Sequence, residues 1–284
     1  MDSQLEPDAF FVPLRSETRP DGREAEVFRA TPHTAGPWGP TLQHGGTVAG
    51  LLTRALERCA PREDTRLARV AVDILGPVLV GDVRVSAEVV RPGRRIELLS
   101  ASLETPDGAG GWREVATARA WRLVTADTSS VARSAHDPIP GPPAAGDSLR
   151  EFTDPRMRKL GGFVEAVSFD VLHEGRDPGD PSIAWLDLTL PLVAGEQTSD
   201  LVAAIAVADV TNGLGMRLDI ARWTFLNTDL TVQLFDAPEG PWFGLRAETS
   251  VGSDGVGMGE AVLYGPRGPI GRVTQNLLVE RRPD

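Results

Sequence analysis

Thr198-Ser199-Asp200-Leu201-Val202-Ala203-Ala204-Ile205-Ala206-Val207-Ala208-Asp209, followed by Asn212-Gly213-Leu214-Gly215, is the stretch that decides the fold. Ser199 or Asp200 can cap a helix, because a side-chain oxygen there accepts a free backbone N–H of the first turn. Leu201, Ile205, Ala208 and Asn212 recur at helical spacing, and Gly213 and Gly215 can end the helix. Asp209 follows Leu201 and Ile205 in steps of four, so it points along the apolar face. A carboxylate aimed at a core is costly unless it is hydrogen-bonded or used. Directly downstream, Arg222-Trp223-Thr224-Phe225-Leu226-Asn227-Thr228-Asp229-Leu230-Thr231-Val232 is rich in β-branched and aromatic residues and reads as a strand.

Working outward, the same order occurs twice. Residues 9–14 and 25–30 read as short strands, and 31–41 as a loop rich in Pro and Gly. Gln43-His44-Gly45-Gly46-Thr47 leads into a helix through Cys59, with Leu51, Leu52, Ala55 and Leu56 on one side. Strand patterns follow at 67–75, 82–91, 96–104 and 112–124. Residues 125–154 are polar and rich in Pro, Ser, Ala and Gly, so they read as a linker between halves. Strands restart at 162–172 and 183–190, the Asp209 helix spans about 199–213, and strands recur at 222–235, 242–250, 255–264 and 270–280. Ala68-Arg69-Val70 matches Ala221-Arg222-Trp223 at an offset of 153. The expected class is α+β: two tandem repeats at 1–125 and 155–284, joined by 126–154, each a helix wrapped by an antiparallel sheet.

Composition bounds the function. The 284 residues are 41% apolar, enough for a sizeable core, with net charge −11 and pI about 4.9. That balance argues against nucleic acid or an anionic membrane as partner. Lys159 stands alone among arginines, a compositional bias rather than a site. Cys59 is the single cysteine and the four histidines are scattered, so no disulfide framework, metal or cofactor is expected. No membrane span or secretory leader is readable, which makes the cytoplasm the expected location.

The chain resembles the double-hotdog acyl-CoA thioesterases of the TesB-like branch, and more closely the actinobacterial thioesterase-like proteins. The residues carrying the resemblance are Gln43-His44-Gly45-Gly46, Val90-Arg91-Pro92-Gly93-Arg94, Ala208-Asp209-Val210-Thr211-Asn212-Gly213, Asn227-Thr228-Asp229-Leu230-Thr231 and Thr274-Gln275-Asn276-Leu277. In those enzymes a helix Asp, a strand Thr or Ser and a Gln on the last strand hold the attacking water. The resemblance implies that Asp209, Asn227 and Gln275 take these places, with Asn227 departing from Thr/Ser and Thr228 beside it. Asp209 would be the base or nucleophile, and Asn227 and Gln275 would orient water. The N–H groups of Gly45 and Gly46 at a helix start, with His44 next to them, would face the thioester oxygen.

The repeat offers an internal check. The offset of 153 places Asp209 against Leu56 and Asn227 against Ile74, and 155 places Gln275 against Ala120. All three counterparts are apolar, so one functional site is expected, with a packed pseudo-site free of cavity. Asp229 reads as a structural hydrogen-bonder at a strand bend, and Arg91, Arg94 and Arg95 as a solvated turn. The leading expectation is hydrolysis of acyl-CoA or acyl-carrier thioesters. A dehydratase or hydratase using His44 with Asp209 ranks lower, and an acyl-binding protein without hydrolysis is the third reading. Sheet edges that need cover point to a homodimer or larger oligomer.

Overall fold

A computed structural model describes residues 8–154, 160–175 and 177–282; Lys159 lies outside them. The first half runs β1 (Phe11–Thr18), β2 (Glu24–Ala30), β3 (Ala35–Gly36), β4 (Gly39–Gln43), α1 (Gly45–Arg58), β5 (Thr65–Ile74), β6 (Asp82–Arg91), β7 (Ile96–Pro106) and β8 (Trp112–Val124). The second runs β9 (Val167–His173), β10 (Ser182–Leu188), α2 (Asp200–Ala208), α3 (Thr211–Gly215), β11 (Trp223–Asn227), β12 (Asp229–Leu234), β13 (Trp242–Val251), β14 (Val256–Gly265) and β15 (Gly268–Arg281).

The main sheet is ordered β1-β2-β6-β7-β8-β5-β12-β15-β14-β13-β10-β9, with β11 also on β15. The two halves match term by term about the β5–β12 seam. There Val70 pairs with Val232 and Ala71 with Thr231, so the two expected sheets merge into one. Inward residues alternate with outward ones: Val70, Val72, Val232 and Val273 are fully buried while Asp73, Gln233 and Arg272 face out. The helices pack on the inward face as a tandem, or double, hotdog.

Some local readings change. The segment read as a loop at 31–41 contains the small β3–β4 hairpin. The strand read from 162 begins only at Val167, because Gly161 and Gly162 take φ of 71° and 54° and turn the chain beforehand. Residues 126–154 lack strands but are pinned to the outer face: Tyr264 Oη donates to the Asp137 carbonyl (3.2 Å) and Trp185 Nε1 to that of Pro140 (2.8 Å).

The repeat register also differs from the offset of 153. Helix caps His44 and Ser199 lie 155 apart. Strand pairs Glu88–Ser100 and Glu248–Glu260 correspond at 160, and Leu99–Ala120 answers Gly259–Gln275. Gln275 therefore does oppose Ala120. Asp209, however, opposes Arg54 rather than Leu56, and Asn227 opposes Leu67 rather than Ile74. The pseudo-site is polar, not apolar: buried Arg54 is held by Glu26 and Glu196 at 2.8 Å each. Ile74 itself lines the cavity beside Asp209. The offset changes twice: the second half is longer between helix and strand, where α3 is inserted, and the β7–β8 turn is longer than the β14–β15 turn.

In this second polar cluster Ser199 Oγ donates to Glu57 Oε2 at 2.6 Å, tying the end of α1 to the start of α2. Burial pushes the Glu57 carboxyl up, and the Ser199 hydrogen bond only partly offsets it. A carboxyl raised in the folded state binds its proton more tightly there, so its contribution to stability falls as pH rises from the unfolded value through the folded one. Glu57→Gln is therefore expected to raise the thermal midpoint at pH 7 and to leave it unchanged near pH 4. Thermal melts at both pH values check this; a destabilised Gln variant at pH 7 refutes it.

Candidate active site

Asp209 is 5% exposed and forms the C-cap of α2. The expected single helix breaks here, and Gln275 is the cause. Its Oε1 accepts the Asn212 N–H (2.9 Å) and its Nε2 donates to the Asp209 carbonyl (3.3 Å). One carboxamide from β15 thus takes a donor and an acceptor that a continuous helix would keep for its own ladder. The same Nε2 donates to Asp209 Oδ1 at 2.8 Å, and Asn227 Nδ2 donates to that oxygen at 2.9 Å. Asn227 and Gln275 therefore both donate directly to the carboxylate.

The second oxygen, Oδ2, faces His44. Nδ1 lies 3.1 Å from Oδ2 and 3.0 Å from the Gly46 N. A single ring nitrogen cannot accept from Gly46 and donate to Asp209 at once. Nδ1 therefore serves either as acceptor for the Gly46 N–H or as donor to Oδ2. Phe163 stacks on the imidazole, with centroids 4.3 Å apart and planes within 18°. Glycine is required in both positions after His44. A Cβ on Gly45 would sit 2.6 Å from Asp209 Oδ2, and one on Gly46 would sit 2.5 Å from the Ala206 carbonyl oxygen. The two helices thus cross with backbone against backbone.

These residues border a cavity of about 960 Å³, within the range of ligand pockets. Asp209, His44, Gly45, Asn227 and Thr228 line it, and its remaining wall is largely apolar, including Trp38, Met216, Leu218, Ile220 and Phe225. Trp38 meets Phe225 edge-on at 5.1 Å. Thr228 is apart from the carboxylate cluster; its hydroxyl approaches Asp229 Oδ1 at 3.4 Å. Asp229 in turn accepts the Asn276 N–H at 2.7 Å where β11 gives way to β12. Sequence reasoning missed Phe163, for which the Gly161-Gly162 turn was the available signal. It placed Asn212 on the helix but not at the cavity, where its Oδ1 is buried without a partner among the described residues.

A carboxylate held rigidly by two carboxamides, beside helix-start amides and an apolar cavity, can take a proton from water next to an acyl group. Family models agree with that class. Residues 34–123 match the acyl-CoA thioesterase N-terminal domain and 137–279 the C-terminal domain. The chain belongs to the acyl-CoA thioesterase family, and its class of activity is hydrolysis of acyl thioesters. Solved structures share the fold over nearly the whole chain. A hot dog protein of unknown function from Alicyclobacillus acidocaldarius is 15% identical, covering 95% of this chain and 96% of its own, with TM-score 0.69. A candidate thioesterase II from Thermobifida fusca is 20% identical over 95% of each chain, with TM-score 0.68. Acyl-CoA thioesterase II TesB2 from Mycobacterium marinum is 14% identical over 90% and 93%, with TM-score 0.64. No curated protein matches the chain.

Proposed function

We propose that the chain hydrolyses acyl-CoA or carrier-bound acyl thioesters with water activated by Asp209. The supporting observation is the convergence of Asn227, Gln275 and His44 on one buried carboxylate at the edge of an apolar cavity. Asp209 Oδ2 takes a proton from water as the water oxygen bonds to the thioester carbonyl carbon. The carbonyl oxygen becomes negative and is met by the N–H groups of Gly45 and Gly46 at the positive end of α1. Collapse of that intermediate breaks the C–S bond, and the proton that Asp209 took from water passes to the departing sulfur. Asn227 and Gln275 fix the carboxylate, so its orientation is set before substrate arrives. Thr228 lies at the cavity wall as a substrate contact.

The test is release of free thiol from a panel of short-to-long acyl-CoA esters. Gln275→Ala is expected to lower kcat by about 10- to 100-fold, because it removes one of the two donors on Asp209 Oδ1 and unties the α2–α3 break together. A panel with no turnover at any chain length sinks the reading. One contact supports a second reading: His44 Nδ1 at 3.1 Å from Asp209 Oδ2 is an acid–base pair drawn from both halves. Hydration of 2-enoyl-CoA, followed by loss of enoyl absorbance without thiol release, would favour that pair as a hydratase.

A further inference from the structure

The outer face of the sheet, away from Asp209, carries a second site. Trp121 pairs with Arg69, Arg69 with Gln233, and Gln233 with Arg272, so β8, β5, β12 and β15 set four side chains in one row across the seam. Paired residues project from the same face. Their chain neighbours Ala120, Val70, Val232 and Val273 are buried inward, so the row faces outward. Strands lie about 4.8 Å apart, which places the Arg69 and Arg272 stems about 10 Å from each other with Gln233 between. Arg133 and His136, from the segment between the halves, close the other side of a groove of about 1010 Å³. That wall is held in place by the Asp137–Tyr264 and Pro140–Trp185 hydrogen bonds.

The charge in this groove runs against that of the chain. No Asp or Glu lines it, although the chain carries net charge −11. Among the described residues neither the Arg69 nor the Arg133 guanidinium has a hydrogen bond or ion pair, and Arg272 commits one nitrogen to Glu260 (2.9 Å). Guanidinium forks match phosphate oxygens, and the half-buried Trp121 indole lining the groove offers a surface to a planar base. Phe235, 50% exposed at the rim, adds a second aromatic. We propose that this groove binds a nucleotide, its phosphates between Arg69, Arg133 and Arg272 and its base against Trp121. A bare anion would leave the aromatics unused, and the acidic surroundings repel a long polyanion. The phosphorylated nucleotide could be free or the head of a coenzyme A molecule other than the one under hydrolysis, because the groove and the Asp209 cavity share no lining residue.

Isothermal titration of the full chain tests this with ADP, adenosine 3′,5′-bisphosphate, adenosine and inorganic phosphate. At least one of the two nucleotides is expected to bind one per chain, about tenfold or more tighter than adenosine or phosphate. Arg69→Ala and Arg133→Ala are each expected to weaken it at least about fivefold while thioester turnover stays at the wild-type rate. Tighter binding of the bisphosphate, displaced by intact coenzyme A, assigns the groove to the coenzyme head; tighter binding of ADP assigns it to a free nucleotide. The proposal is overturned if neither nucleotide saturates, if phosphate binds as tightly, or if the double alanine variant binds like wild type. Retention in Asp209→Asn is expected, and loss there would place the ligand in the other cavity instead.

Discussion

Asp209→Asn is expected to lower kcat for acyl-CoA hydrolysis by about 10²- to 10⁴-fold, the range typical of a positioned general base. The substitution keeps size and shape. The remaining carbonyl oxygen can still accept from Asn227 Nδ2 and Gln275 Nε2, which now bond Oδ1 at 2.9 and 2.8 Å. Fold and thermal midpoint should therefore hold, and KM should move little because the apolar wall of the cavity lies elsewhere, around Trp38 and Phe225. What disappears is the proton acceptor at the former Oδ2. Steady-state kinetics beside a melt separates these effects. A wild-type kcat in this variant would remove Asp209 from the mechanism, whereas a parallel loss of stability would mark it as a structural carboxylate.

The second large effect concerns packing. Gly46→Ala places a methyl 2.5 Å from the Ala206 carbonyl oxygen and 2.9 Å from Phe163. The carbonyl belongs to helix backbone and cannot rotate away, so α1 and α2 must separate. Overpacking of this kind costs about 1–3 kcal/mol. Separation also pulls Asp209 from His44, so kcat should fall together with the thermal midpoint. Gly213→Ala is the control: nothing lies within 4 Å of its would-be Cβ, and Ala suits a helix better than Gly by up to about 1 kcal/mol. Equal melting of Gly46→Ala and wild type would show that the helices have slack at this crossing.

The sequence made the α1 start and the Asp209 position legible for one reason: both are local. His44-Gly45-Gly46 precedes an amphipathic run, and a carboxylate on an apolar face is conspicuous in any window. The break after Asp209 was not legible. Its cause is Gln275, a residue distant in sequence whose carboxamide replaces two helix partners. The strand division at Thr228 has a similar origin, since Asp229 reaches across to the Asn276 N–H. The repeat order was readable, but its register was not, because unequal turns move strands and helices by different amounts. Arg54 thereby escaped notice as the counterpart of Asp209. The two residues occupy matching places with opposite charge, one feeding a cavity and the other a closed salt-bridge cluster.

The seam between β5 and β12 has a consequence for how such a chain arises. Cut there, the halves would leave open edge strands of ten and six residues, and a second copy of the same half is the natural cover for each. The double chain is in this sense a dimer made permanent by its connecting segment, which replaces an encounter in solution with a fixed high local concentration. Fusion also ends the obligation of both copies to stay alike. One helix end could then keep a carboxylate for chemistry while its twin turned to an arginine that only holds the assembly together.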